Sequence, residues 1–182
     1  CHVGGDYATT AATEYVPAVT FPSDVEIENS PSAPDDSFIC MTCHQGREST
    51  ASMREEIDDA NVVDDDTIDA DLGFQNIHYK PAGATLYGGV VMGGFQYDGK
   101  MYDMKFFHTE GIESCIDCHD PHTLEVKVAK CGECHTGVTE ETDLHDIRFL
   151  GSTKDYDGDG DLAEGIAGEI ETIQPLLYAA IQ

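Results

Sequence analysis

The sequence predicts a mostly irregular fold: a few short helices, one small β-hairpin, and a core that the chain's own side chains fill only in part. Three observations lead there. A five-residue pattern, Cys-x-x-Cys-His, occurs at 40–44, 115–119 and 131–135. Glycine and proline, 18 and 7 of 182 residues, interrupt the chain so often that long regular elements have little room. Charge is also lopsided, with 36 acidic residues against 9 basic, so much of the chain must stay in water.

The repeated pattern carries the chemistry. Cys40-Met41-Thr42-Cys43-His44, Cys115-Ile116-Asp117-Cys118-His119 and Cys131-Gly132-Glu133-Cys134-His135 each match the attachment signature of c-type haem. Two thiols form thioethers to the porphyrin, and the adjacent imidazole stands below the iron. Seven cysteines are present, and six belong to these motifs. The seventh, Cys1, is followed by His2 and reads as the second half of a fourth motif that begins before residue 1. Of eight histidines, His2, His44, His119 and His135 follow a cysteine directly. His78, His108, His122 and His145 remain, so four haems with one proximal and one distal His each would use every one. Three haems rest on complete motifs and the fourth on Cys1-His2. Porphyrins are large apolar plates, so the expected fold is that of a multihaem cytochrome c with a core made largely of haems.

Other readings of the cysteines exist. Cys115/Cys118 with Cys131/Cys134 could clasp one tetrahedral zinc, but that leaves Cys40/Cys43 without a second pair and the three adjacent histidines unexplained. A disulfide framework meets an odd number of thiols. Cys1 alone could carry a lipid anchor. Methionine is the competing sixth ligand: Met41 lies inside a haem-binding loop, Met53 in a charged helix, and Met92, Met101 and Met104 are open to the role.

In chain order, residues 1–39 form an extended N-terminal arm, with Pro17, Pro22, Pro31 and Pro34 excluding helix. Residues 40–150 make the haem-binding core, and 151–182 a calcium loop and C-terminal helix, all in a single domain. Within the core, Arg47–Ala60 reads as a short helix. An acidic loop from Asp64 to Asp71 follows. Phe95-Gln96-Tyr97, Asp98-Gly99 and Lys100-Met101-Tyr102 suggest a hairpin with a two-residue turn that delivers His108 to the second motif. The second and third motifs are close in sequence, so their rings should be neighbours. His122 lies three residues after His119. At about 3.3–3.6 Å per residue the chain cannot pass from one haem face to the other in that distance, so His122 should ligate a different haem.

Asp155-Tyr156-Asp157-Gly158-Asp159-Gly160-Asp161 has oxygen donors at the first, third and fifth positions and Gly at the sixth, as in an EF-hand calcium loop. Ile166 stands at the twelfth position, so Glu164 would supply the closing carboxylate and Asp161 its backbone carbonyl. Leu162–Gln182 then reads as a helix with Ile166, Ile170, Ile173 and Leu177 on one face, interrupted near Pro175.

CMTCHQGR at 40–47, the segment from Asn76 to Gly88, CIDCHDPH at 115–122 and the Asp/Gly loop together resemble bacterial and archaeal multihaem c-type cytochromes of the cell exterior. The likeness covers most of residues 40–181. It implies bis-His haems with His78, His108, His122 and His145 as distal ligands. Tetrahaem members of similar size polymerise head to tail into extracellular filaments with haems stacked through successive subunits. Related chains run longer at the carboxyl end.

A net charge of −27 excludes nucleic acid and anionic lipid as partners, and no apolar run is long enough to span a membrane. Thioether attachment takes place outside the cytoplasmic membrane, so the chain should be exported, to the cell surface or beyond, or to the periplasm. Electron transfer rather than enzymic turnover is the expected role. Its setting would be a filament subunit exchanging electrons with other redox proteins or extracellular acceptors. A soluble shuttle is the alternative. A multihaem oxyanion reductase is a third reading, disfavoured because histidine saturates the irons.

Overall fold

Residues 18–28 fold back on themselves. β1 (Ala18–Thr20) pairs antiparallel with β2 (Glu26–Glu28), with Val19 opposite Ile27. The computed structural model describes residues 13–64, 66–78, 80–148 and 152–182. The chain divides into two compact units, one ending at Ile116 and the other running from Asp117 to Gln182. This division falls inside the stretch expected to be one haem-binding core. Cys1 and His2 lie outside the described residues.

The first unit corrects the picture of an extended arm. Pro22 and Ser23 occupy the bend between the strands, where no ladder N–H is required, and Asp24 N–H donates to Phe21 O. Alternation then works as in any half-buried hairpin: Val19 and Phe21 point inward while Thr20 and Glu26 face water. Val19 and Phe21 pack with Phe38 and Met41 of α1 (Ser37–His44), with Ala84 and Tyr87 of α3 (Ala82–Tyr87), and with Val91. The Phe21 and Tyr87 rings sit tilted, 5.8 Å between centroids. Asn29 is buried and satisfied, its amide donating to Val16 O and Asp35 O while its oxygen accepts from Asp35 N. The arm therefore forms one wall of the core under the first motif.

α2 (Thr50–Asp59) lies within the predicted Arg47–Ala60 segment. Ser49 starts it by accepting from Ala51 and Ser52 amides while Ser52 Oγ accepts from Ser49 N–H, a reciprocal cap. The hairpin expected at 95–102 does not form. Its turn is there, with Lys100 N–H donating to Tyr97 O, but no strand ladder flanks it. Tyr102 Oη instead accepts from Tyr97 N–H, and Arg54 pairs with Asp98 to hold the turn to α2.

The helix of the second motif, α4 (Cys115–Cys118), crosses the division between the units. The second unit contains α5 (Val128–Gly132), a 3-10 turn at Glu141–Asp146 and α6 (Ile166–Ile181). Its core is slight: among the described residues Val138 is its one buried apolar side chain. α6 runs through Pro175 without the expected interruption, and Ile166, Ile170, Ile173 and Leu177 are all exposed. No helix among the described residues is long and apolar enough to cross a membrane.

Candidate functional site

The first motif is carried by α1, whose inner face is fixed by Phe38 and Met41, 4 % and 1 % exposed. That fixes the outer face too. Cys40 is half-buried and Cys43 exposed, one turn apart. Met41 is a core residue and has no access to an iron. Gly83 lets α3 approach: a Cβ there would lie 3.0 Å from His44 O and 3.1 Å from Met41 Cγ.

His44 Nδ1 lies 2.7 Å from Lys80 O. A carbonyl only accepts, so Nδ1 must carry the proton and Nε2 keeps its lone pair. The second motif repeats the arrangement: His119 Nδ1 lies 3.1 Å from Leu124 O. An imidazole anchored at one nitrogen and open at the other is the form that ligates a metal. Both accepting residues have left-handed backbone, Lys80 at φ 53° and Leu124 at φ 65°, as has His78 at φ 75°. Such conformations cost non-glycine residues about 1–3 kcal/mol each and gather where function demands them.

The chain after His119 reverses tightly. Asp120 accepts from the amides of His122 and Thr123, Leu124 N–H donates to Asp120 O, and Asp120 N–H donates to Glu125 O. The Thr123 and His122 amides hold the Asp120 carboxyl below its ordinary pKa. His122 is exposed at the tip of this reversal.

The first and second motifs meet inside the first unit. Cys115 N–H donates to the buried Ser37 Oγ at 2.8 Å. Burial pushes the Cys40 thiol pKa up, and the neighbouring Cys115 thiol adds to the effect. The third motif spans the end of α5, with Cys134 N–H and His135 N–H both donating to Cys131 O. Beside it lies a cleft of about 330 Å³ lined by Cys134, His135, Val138, Asp143, Ile147 and Arg148. In the first unit an apolar cleft of about 470 Å³ is lined by Ile77, Phe95, Tyr102 and Phe106 among glycines. His78, His108 and His145 are exposed, and His135 is half-buried. Of the competing methionines, Met101 and Met104 are exposed.

These residues fit haem c. None of the six described cysteines is in a disulfide, and each thiol pair is followed by its histidine. Between the first and second motifs the chain exposes apolar side chains: Phe74, Met101, Met104, Phe106 and Phe107 are 55–98 % exposed.

The Asp/Gly loop folds as a tight coil. Asp155 accepts from Gly158 and Gly160 amides, Asp157 from Asp159, Asp159 from Asp161, and Asp161 from Ala163. Asp155, Asp157 and Asp159 carboxylates converge within 4.8 Å. Glu164 joins Asp157 in a second cluster of the same size, whose third member is Glu169. Sequence spacing did not point to Glu169. The Gly158 amide, against some burial, holds the Asp155 carboxyl below its ordinary pKa. Burial raises Glu164, helped by the charges of Asp157 and Asp159. Gly165 allows α6 to start against the segment bearing His145, since a Cβ there would fall 1.9 Å from His145 O.

Comparison with family models, with curated proteins and with solved structures finds no match to this chain.

Proposed function

We propose that this protein carries electrons through closely spaced bis-His c-type haems, as a subunit of an extracellular filament. The observation that carries the reading is the paired histidine geometry. Two histidines, each ending a Cys-x-x-Cys-His motif, give their Nδ1 proton to a backbone carbonyl and keep Nε2 for a metal. Haem iron, when bound, supplies reversible one-electron chemistry. The chain's residues supply the rest. Cys40/Cys43, Cys115/Cys118 and Cys131/Cys134, with Cys1 for a fourth, would attach the porphyrins. His2, His44, His119 and His135 would stand on one side, and His78, His108, His122 and His145 on the other.

The contact of Cys115 with Ser37 and with Cys40 of the first motif supports the proposed close packing. The abundance of carboxylates stabilises the more positive, oxidised iron and so lowers potentials. Saturating the irons with imidazole leaves no face for a substrate, so the protein is proposed to conduct rather than catalyse.

The filament part rests on the family resemblance and on the exposed apolar face of α6, which suits burial against another chain. An extended arm could also dock strand-like on a neighbouring subunit, but residues 18–28 pair with each other, which removes that support for a filament. Electron microscopy of native material tests this part. Filaments are expected, and a uniformly monomeric species would favour the soluble shuttle. The electron-transfer part is tested by reversible reduction without a high-spin signal in the oxidised protein. A high-spin iron would favour a reductase.

A further inference from the structure

The coil at 155–164 and the first turns of α6 enclose oxygens that the protein itself leaves unsatisfied. Glu169 is fully buried, 0 % exposed. Its Oε2 accepts from the amides of Tyr156 at 2.7 Å and Asp157 at 3.0 Å. Its Oε1 pairs with the Arg148 guanidinium, 2.5 Å from Nη1. Asp157 Oδ2 and Glu164 Oε1, buried in the same place, accept no hydrogen bond among the described residues. Asp157, Glu164 and Glu169 present these carboxylates within 4.8 Å of one another.

Buried carboxylates are stable only when paired or bound to a cation. Arg148 offsets one charge. Its guanidinium also donates to Glu164 O at 3.0 Å and to Lys154 O, so it acts as a brace behind the cluster. Asp155 and Asp159 share Asp157 with the inner group. Five carboxylates therefore gather here, and Arg148 pairs with one of them. Every donor is oxygen, which suits a hard cation rather than zinc or copper. Several protein carboxylates around one point suit calcium better than magnesium, which keeps more of its water.

We infer that Asp157, Glu164 and Glu169, flanked by Asp155 and Asp159, bind one Ca²⁺, and that Glu169 of α6 takes the place of the acid missing at the loop's twelfth position. Asp161 stands outside this set, its Oδ1 engaged by Ala163 N–H. The ion clamps the start of α6 to the coil. Through Ile166 N–H donating to Ile147 O and Arg148 bonding to Glu164 O, it also fixes the segment that follows His145. The clamp on His145 matters for electron transfer only under the haem reading above, whereas binding itself is independent of it.

The test is calorimetric titration of CaCl₂ into the intact chelator-treated protein at physiological salt, which suppresses diffuse binding to the acidic surface. One Ca²⁺ per chain is expected, with Mg²⁺ at least tenfold weaker. Glu169→Gln and Glu164→Gln should each weaken Ca²⁺ at least tenfold, and Asp161→Asn should change it less than threefold. Ca²⁺ should raise the melting temperature of the native protein and not of Glu169→Gln. Wild-type binding no tighter than that of Glu164→Gln overturns the site. Glu169→Gln binding as well as wild type returns Glu169 to a partner of Arg148 alone. Should Glu169→Gln fail to fold, Glu164→Gln decides alone. The visible haem spectrum is recorded throughout: bands that persist without Ca²⁺ binding sink only the calcium site, and Ca²⁺ binding to colourless protein sinks only the haems.

Discussion

Met41 separates two accounts of the first motif, and Met41→Ala is the decisive change. Methionine is a known axial ligand of haem iron, yet Met41 is 1 % exposed and packs with Phe21, Phe38, Ala84 and Tyr87. Truncating a buried methionine costs about 2–5 kcal/mol through lost transfer energy and the cavity left behind. Neighbours here cannot collapse freely, because α3 already rides on Met41 through Gly83. A cost of about 3 kcal/mol is therefore expected. At about 4 °C per kcal/mol for a unit of this size, melting should fall by about 12 °C. Met41→Leu keeps the volume and should cost less than about 1.5 kcal/mol. Far-ultraviolet circular dichroism measures the melt, and visible absorption of the reduced protein monitors the irons. Bands unchanged in Met41→Ala, with melting lowered, are predicted. A shifted spectrum with melting unmoved would refute the core assignment and make Met41 a ligand.

Ser49→Ala should cost about 1 kcal/mol in thermal melts by uncapping α2, with the visible spectrum untouched. Gly165→Ala should push α6 off the backbone of His145, and a new high-spin signal in the oxidised protein would report the displaced ligand. His119→Ala should convert one haem to high spin while the polypeptide still carries it, as mass spectrometry after denaturation would show. The Asp143 carboxyl is held below its ordinary pKa chiefly by the Thr139 and Glu140 amides. Its folded pKa is the lower one, so its contribution is present above the ordinary aspartate range and lost as pH falls through the folded value. Melting temperature of Asp143→Asn should accordingly respond less to acidification below pH 4 than that of the native chain, on the ordinary value of about 3.9.

How far the sequence speaks depends on whether the signal is local. α2 was legible because its interior residues favour helix, and the structure adds the Ser49 cap. The hairpin was misplaced because prolines read as breakers. Pro22 in fact takes a bend that asks for no N–H, and Pro17 lends its carbonyl to Asn29. At 95–102 the turn signal was real, but no cross-strand partners reward a ladder, and Tyr102 satisfies the Tyr97 amide instead. The thiol-histidine motifs are visible in the sequence because their spacing is local. Their anchoring carbonyls, Lys80 and Leu124, were not, because nothing in either residue announces a left-handed backbone. Glu169 escaped for another reason: loop spacing ends at the helix, and this carboxylate reaches Asp157 and Glu164 from beyond it. A carboxylate set beside Ile166, Ile170 and Ile173 was the available clue.

Intact mass after denaturation, taken with the visible spectrum of the reduced protein, tests the central claim most directly. Thioether-linked haem survives unfolding, so the mass should exceed that of the polypeptide by at least three haems, and by four when the motif at Cys1 is complete, with sharp reduced bands. A colourless protein at the bare polypeptide mass would contradict it.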